Sequence, residues 1–195
     1  MDNFHNFLRT RRSIRRFKPD PLPAPVIEQI LKTATFAPSA HNLQPWRFAV
    51  IQTDSAKTAL GKALTEKMRT DMTTEGARQA DIDKRVTISL RRIDEAPVII
   101  LLCRDVTAVR KEEPEEHTMA MQSVALAGLQ LMLAAHAEGL GANWICWPLY
   151  APQSACDALD LPESWEPQGM FFIGYADENP NEKNIKPLEE VVLKA

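Results

Sequence analysis

The segment RRSIRRF, residues 11–17, carries four arginines in six positions, with one hydroxyl among them and a large apolar residue at its end. Arginine keeps its charge and offers a planar fork of donors that matches phosphate oxygens two at a time, and serine adds a short donor. In an extended chain, alternation places Arg11, Ser13 and Arg15 on one face and the other two arginines on the opposite face. The spacing alone leaves two interpretations open, a solvated basic run and a site for one anion.

The composition is typical of a soluble globular protein. Of 195 residues, 45% are apolar and 25% are charged, which suffices for one domain spanning residues 1–195. The net charge of −3 excludes a chain-wide positive field that would hold nucleic acid. Three cysteines without a C-x-x-C pair favour a reducing cytoplasm over a disulfide framework or a zinc site, and the four histidines lack metal-ligand spacing. We expect no signal peptide and no membrane-spanning segment.

Apolar periodicity predicts an α+β protein with four or five strands and five or more helices. Strands are expected at four places: 46–51, 98–103, 143–147 and 169–175. The run VIILLC at 98–103 is typical of a buried central strand. Helices are expected at 3–9, 25–36, 55–70, 81–93, 116–138 and from 152 onward. Asp54 or Ser55 is the expected N-cap of the third helix. The helix at 116–138 is apolar on nearly every side, which predicts a place in the core or at a subunit interface.

A second informative segment is the predicted loop APSAHNLQPW at 37–46. Its prolines and small polar residues break regular structure, and its many hydrogen-bonding groups favour ligand contacts. His41 could donate a proton to a substrate or form ordinary loop hydrogen bonds, and both interpretations stay open. Cys146 is better interpreted as a small core residue than as a nucleophile, because no His–Asp arrangement follows from the sequence.

These two segments resemble the flavin-dependent nitroreductase family. Three more segments agree in order, so that the resemblance covers residues 11–192: GLGANW at 139–144, GY at 174–175 and PLEEVV at 187–192. The resemblance implies a nitroreductase-like fold, with a central, mostly antiparallel sheet flanked by helices, in an intertwined homodimer that binds FMN at the subunit interface. It also implies ping-pong chemistry, in which NAD(P)H reduces the flavin and leaves before a small organic acceptor enters. A nitro compound, a quinone or an enone would be such an acceptor.

The resemblance also implies roles for individual residues. Residues expected to contact the FMN phosphate and ribityl chain are Arg11, Arg12, Ser13 and Arg15. Those expected to cover the flavin from the partner subunit are Pro38, Ser39 and Asn42. The backbone N–H groups of Cys146 and Trp147 would lie near flavin N5 and O4, where donors stabilise the negative charge of the reduced ring. The tail from about residue 177 would wrap the partner and return Lys183 or Lys186 to the phosphate.

The chain departs from the family pattern in two places. Many relatives have small residues where this chain has Cys146-Trp147, so the bulky Trp147 could shape the choice of acceptor. Many relatives also have a small or hydroxyl residue where this chain has His41. Both side chains are candidate substrate contacts.

A narrower resemblance points to the nitroreductase-like C-terminal domain of the ligase that matures the deazaflavin coenzyme factor 420. Its segments are MRTD at 68–71, EHTM at 116–119, LPESWEP at 161–167 and GYADE at 174–178. It implies reduction of a dehydro precursor, with Arg69 and Asp71 near the second ligand.

Two further functions stay open at the level of the sequence. One is a flavin- or deazaflavin-binding protein without turnover, in which the bulky Trp147 narrows the site. The second is a specialised family member that fragments flavin to a benzimidazole or removes halogen reductively. No sequence feature favours either of these two specialised chemistries.

Overall fold

A four-stranded antiparallel sheet forms the centre of the computed structural model, which describes residues 2–194. The strands lie in the order β1-β2-β4-β3, and every neighbouring pair is antiparallel. Their bounds are Trp46–Ile51 (β1), Val98–Asp105 (β2), Gly141–Ile145 (β3) and Trp165–Gly174 (β4). The expected α+β class with a mostly antiparallel sheet is confirmed.

The central strand is β2, as the VIILLC run predicts. All six residues of that run are buried, because β1 and β4 flank it and helices cover both faces of the sheet. β4 begins four residues earlier than predicted. The sequence does not predict the first part of β4 because it contains Pro167, which has no N–H to donate to a strand pair. The register between β2 and β4 shifts where Cys103 faces this proline.

Seven α-helices are described in residues 2–194: Asp2–Thr10 (α1), Ala24–Ala34 (α2), Asp54–Thr74 (α3), Gln79–Glu95 (α4), Pro114–Ala137 (α5), Pro152–Leu159 (α6) and Leu188–Val191 (α7). Two 3-10 helices span Ala40–Asn42 and Trp147–Tyr150. The expected helices up to α6 are confirmed. The predicted N-cap of α3 is wrong, because the hydroxyl of Thr53 accepts the hydrogen bond from the Ala56 N–H at 3.3 Å. Thr53 has the extended backbone of a cap, and Asp54 already lies in the first turn.

Two apolar cores lie on opposite faces of the sheet. One joins α2 and α5 to the face that carries Trp46 and Ile100. The other joins α3 and α6 to the face that carries Ile51 and Leu101. The alternation predicted for β1 is confirmed, since Trp46 and Ile51 fall in different cores.

The long helix α5 is buried on one side only, which confirms its predicted place in the core for that side, and the predicted place at a subunit interface stays a prediction for the other side. Val124 and Leu131 pack against the sheet, whereas Met121, Leu126 and Leu129 are 41%, 43% and 46% exposed. By length and composition α5 is also the one helix within residues 2–194 that could span a membrane. Half of its apolar stretch is buried inside the protein, as in the core helix of a soluble fold.

The arginine segment attaches to the open edge of β3. Ser13 forms a parallel bridge with Ala142, and the Ile14 N–H donates to the Ala142 carbonyl at 3.0 Å. A Cβ at Gly141 would come within 2.7 Å of the Ile14 Cβ, so only glycine permits this close approach. The backbone of the arginine segment is therefore held against the sheet, beside the tail that follows β4.

Candidate functional site

The arginine segment and the start of the tail enclose a polar cleft of about 470 Å³, here called the arginine cleft. Its lining residues are Arg11, Arg12, Ser13, Arg15, Arg16, Glu178, Asn179, Pro180, Asn181 and Lys183. Five of these ten side chains are cationic and one is anionic. Such a cleft attracts anions, and its guanidinium groups match phosphate geometry.

One donor in this cleft has no partner. The Arg11 Nη1 atom is buried and forms no hydrogen bond with the described residues. A buried N–H without an acceptor is costly, so this atom is suited to an anionic ligand that supplies one. The donor set therefore fits the phosphate of a bound nucleotide.

Glu178 supports the backbone of the arginine segment. Its carboxylate accepts hydrogen bonds from the N–H groups of Arg15 and Arg16, and its Oε2 atom lies 3.4 Å from the Arg16 Nε atom. The Arg15 N–H is the main reason that the pKa of Glu178 lies below its ordinary value. The sequence shows Glu178 only as the end of GYADE and indicates no role for it.

The arginine segment differs from the expected alternation at two residues. Arg12 and Arg16 line the same cleft as Arg11 and Ser13, because the segment forms only isolated bridges and not a regular strand. Both lysines of the tail are exposed, but Lys183 lines the cleft and Lys186 is not among its lining residues.

The polar loop lies elsewhere, on the first half of α5. The Ala40 N–H donates to the Ser123 hydroxyl at 3.1 Å, and that hydroxyl donates to the Met119 carbonyl at 2.7 Å. Within the loop, the Gln44 N–H donates to the Ser39 hydroxyl at 3.1 Å. These bonds hold an unusual backbone, in which three non-glycine residues have left-handed φ: His41, Asn42 and Gln44.

The loop and the arginine cleft do not meet within the described chain. A small cavity under the loop is lined by Ala40, Leu43 and part of α5, and it shares no residue with the arginine cleft. Pro38, His41 and Asn42 are exposed. The pKa of Glu116 lies below its ordinary value, mainly because Arg110 donates to its carboxylate, and His41 contributes a smaller charge effect.

A second, larger cleft of about 770 Å³ lies between α3, α4 and the turn after β3, and is here called the helical cleft. It contains Cys146 and Trp147, the residues expected beside the flavin ring. Ser13 pairs with Ala142 near the start of β3 and Cys146 follows its end, so Ala142 and Cys146 are about 13 Å apart along this strand. The Trp147 side chain packs partly against the core that contains α3 and α6.

The two residues of the MRTD segment have different surroundings. Asp71 lines the helical cleft and pairs with Lys67 one turn earlier. The Arg69 Nη1 atom lies 2.7 Å from the Asp83 Oδ1 atom on α4, and Arg69 is not among the residues that line the cleft.

Helix α4 contributes cationic residues to the cleft that sequence reasoning missed. They are Lys84, Arg85 and Arg92. Their helical spacing was the available signal, since it places them on one side of the helix.

The three cysteines are free thiols. Burial raises the pKa of Cys103 to about 12, which keeps it protonated. Cys146 is exposed, so its interpretation as a small core residue is wrong. No group of three or more His, Cys, Asp or Glu side chains that could hold a metal ion occurs within residues 2–194.

Comparison with known proteins gives matches over nearly the whole chain. A model described as the Nitroreductase family matches residues 8–175. The iodotyrosine dehalogenase 1 homolog of Caenorhabditis elegans is 30% identical over 197 residues, covering 96% of this chain. The chain spans only 60% of that relative's length. The NADH dehydrogenase of Thermus thermophilus is 28% identical over 212 residues, covering 94% of this chain and 91% of the relative.

Among solved structures, a Desulfovibrio desulfuricans protein crystallised in complex with FMN has a TM-score of 0.77 and 25% identity. The match covers 98% of this chain and 95% of that chain. Together with the family model, it confirms the fold that the sequence motifs imply. The comparisons do not test the narrower resemblance to the factor 420 ligase domain, which stays a prediction.

Proposed function

Because the chain belongs to the nitroreductase family, we propose that it is an FMN-dependent oxidoreductase. It would take a hydride from NAD(P)H and pass it, by a ping-pong mechanism, to a small organic acceptor such as a nitro compound, a quinone or an enone. The observation that carries the proposal is the arginine cleft, with its excess of cations and the buried, unpartnered Arg11 Nη1 atom. Bound FMN would supply the hydride-transfer chemistry.

The residues of the chain would bind and orient the cofactor. In this proposal Arg11, Ser13, Arg15 and Lys183 hold the phosphate with charge-assisted hydrogen bonds. The backbone N–H groups of Cys146 and Trp147 stabilise negative charge on the ring. The helical cleft admits the hydride donor and then the acceptor, since it is the large cleft beside these two residues.

We further propose that the active form is a homodimer, in which Pro38, Ser39 and Asn42 of one chain cover the flavin held by the other. Two observations support this. The polar loop lies apart from the arginine cleft of its own chain, and it is anchored on α5 beside an exposed apolar stripe. The tail carries exposed apolar residues that a partner could bury: Ile185, Leu188, Val191, Val192 and Leu193.

A binding protein without turnover is less supported. The bulky Trp147 side chain packs against core residues and leaves a cleft of about 770 Å³ in front of the turn, so it does not close the site. Reduction of a dehydro precursor is also less supported, since Arg69 is engaged with Asp83 instead of lining the cleft. Free thiols agree with activity in a reducing compartment such as the cytoplasm.

The test is the visible spectrum of the purified protein, followed by NADH and NADPH oxidation with a panel of acceptors. The panel contains menadione, nitrofurazone, an enone and, because of the name of the nematode relative, iodotyrosine. We expect bound FMN at about one per chain and steady oxidation of the pyridine nucleotide with at least one acceptor. A protein that binds no added FMN would contradict the proposal.

Arg15→Ala tests the phosphate assignment. Loss of a charge-assisted hydrogen bond should weaken FMN binding by about tenfold or more. Arg9→Ala, which removes an arginine from the last turn of α1 and outside the cleft, is the matched control. Equal FMN affinity in both variants and the wild type would show that Arg15 does not hold the phosphate.

A further inference from the structure

One face of α4 presents basic side chains to the helical cleft. Arg85, Ile88, Ser89 and Arg92 all line the cleft, and their spacing of three, four and seven positions places them on one side of the helix. Lys84 lines it as well. Arg85 and Arg92 are two turns apart, about 10 Å along the axis. The cleft therefore has a cationic strip along one wall.

The acidic residues of the cleft neutralise this strip only in part. Asp71 pairs with Lys67, Asp81 pairs with Arg78 at 2.7 Å, and Glu75 forms no salt bridge within residues 2–194. Glu75 therefore sets one negative charge against the three positive charges of Lys84, Arg85 and Arg92. Lys84, Arg85 and Arg92 form neither a salt bridge nor a side-chain hydrogen bond with the rest of residues 2–194. The neighbouring Arg91 lies outside the cleft and pairs with Glu95 at 3.7 Å. Positive charge in the cleft is thus available to a ligand.

Much of the remaining lining is apolar and aromatic. The side chains that supply it are Met68, Met72, Ile145, Trp147, Tyr150 and Phe172. A ligand that satisfies both parts of the cleft has a planar, apolar body and an anionic group at one end. A neutral ring would leave the cationic strip to water, and a small inorganic anion would leave the aromatic residues exposed.

We propose that the helical cleft selects acceptors that carry an anionic group, such as a carboxylate, a sulfonate or a phosphate, on an aromatic or quinonoid ring. Arg85 and Arg92 bind the anionic group, and Lys84 adds to the positive potential. The ring lies against the aromatic side of the cleft, next to Cys146 and Trp147. This inference rests on the proposed function and names the substrate class for the same site.

The first test is a calorimetric titration of the oxidised, flavin-loaded protein with 4-nitrobenzoate and with 4-nitrobenzamide. The two probes have nearly the same shape and differ in charge. We expect tighter binding of the carboxylate, and a preference that shrinks as salt rises, because exposed charges are screened within about 8–10 Å. Equal affinity for the two probes at low salt would overturn the proposal.

The double variant Arg85→Gln/Arg92→Gln locates the effect. It should lower the preference for 4-nitrobenzoate over 4-nitrobenzamide by about tenfold. Arg91→Gln is the matched control, since it removes an arginine from the same helix but outside the cleft. A preference that survives in the double variant, or that falls equally in the control, would contradict the assignment.

Kinetics separate this inference from the proposed function and from binding of the hydride donor. Each variant is assayed with NADH and the neutral acceptor menadione, and reoxidation of the reduced protein by each nitro compound is followed separately. In nitro reduction the acceptor gains a hydride and a proton, loses water and becomes a nitroso compound, while NADH becomes NAD⁺. Absence of oxidation of both NADH and NADPH would contradict the proposed function, and the titration would still test anion binding. A rise in the KM for NADH, with unchanged discrimination between the nitro compounds, would assign the strip to the hydride donor and overturn the proposal.

Discussion

The arginine segment (residues 11–17) and the polar loop (37–46) are both predicted to contact one flavin, yet the fold anchors them in different places. The segment lies on the open edge of β3, held by the bridge from Ser13 to Ala142 and by the carboxylate of Glu178. The loop lies on α5, held by the hydroxyl of Ser123. Their cavities share no lining residue.

This difference indicates how a site can be divided between chains. The arginine segment forms an anion cleft with its own tail, and needs no second chain for that. The loop presents exposed polar residues beside an exposed apolar stripe of α5, which is the surface expected of an interface. We therefore treat the two segments as halves of a site that a second copy completes, and each half can be perturbed without the other.

The largest effect is expected from Leu129→Glu. Leu129 is 46% exposed, more than the other two residues of the α5 stripe, Met121 and Leu126, and two-fold symmetry would bring the new charge into the interface twice. Burial of an unpaired carboxylate is costly enough to abolish the dimer. Sedimentation should show a monomer with native circular dichroism. Leu90→Glu, at a leucine of 40% exposure on α4, is the control and should leave the assembly unchanged. A dimeric Leu129→Glu variant would place the interface elsewhere.

The second-largest effect is expected on FMN affinity, from a substitution in the arginine segment alone. Arg11→Ala removes the donor that is buried and unpartnered, and FMN affinity should fall about 10- to 100-fold, which corresponds to about 1.5–3 kcal/mol for a hydrogen bond to a charged group. Riboflavin, which has no phosphate, should bind the variant and the wild type alike. Fluorescence titration with both flavins measures this. An equal loss for riboflavin would mean that Arg11 acts on the ring or on the fold instead of on the phosphate.

A smaller effect, on the free energy of unfolding, is expected from Glu178, whose carboxylate binds the backbone of the arginine segment. The N–H group of Arg15 lowers the pKa of Glu178 below its ordinary value of 4.5. A lowered folded pKa stabilises the protein above the unfolded value, and this stability is lost as the pH falls through the folded pKa. Glu178→Gln should therefore reduce the free energy of unfolding by about 1–2 kcal/mol at pH 7. The difference from the wild type should shrink below pH 4.5. Urea unfolding across pH measures it, and a difference independent of pH would contradict the account.

The smallest effect on stability is expected from a substitution that releases the polar loop from α5. Ser123→Ala leaves the Ala40 N–H without its acceptor, which should cost about 1 kcal/mol and speed hydrogen exchange at Ala40. Thr118→Ala is the control, because Thr118 bonds the helix carbonyl of Pro114 in the same manner and does not hold the loop. When Ser123→Ala is added to Leu129→Glu, which we expect to be monomeric, FMN affinity should change little relative to Leu129→Glu alone. Exchange at Ala40 as slow in Ser123→Ala as in the control would show that other contacts hold the loop.

Local patterns were sufficient to predict most of the fold. The VIILLC run predicts the central strand because both faces of β2 are covered, and every residue of the run is buried. The order of weak motifs predicts the family. The errors have local causes. Pro167 conceals the first part of β4, and a row of three polar residues at 53–55 hides which one is the N-cap.

The site was predictable where it consists of adjacent residues and not where it depends on folding. The arginine segment is visible as a run, whereas Lys183 was a candidate, with Lys186, only through the family resemblance. Glu178 was not, because its function depends on backbone N–H groups more than 160 positions away. The helical spacing of Arg85 and Arg92 places them on one side of α4, but only the packing of α4 brings that side to Trp147, and no local motif indicates that packing. The one-sided burial of α5 could not be predicted either, since the sequence does not indicate which apolar face of the helix a second chain would cover.

The most direct test of the divided site is subunit complementation. Arg11→Ala and Asn42→Ala are combined, with a different affinity tag on each chain, and hybrid dimers are purified through both tags. If each flavin is held by the arginine cleft of one chain and the loop of the other, a hybrid contains one site with both side chains intact and one site with neither. We predict one tight FMN site per hybrid dimer, although both parent variants bind weakly. A hybrid in which every site binds as weakly as in the parents would contradict the account, because it would mean that Arg11 and Asn42 of the same chain serve the same flavin.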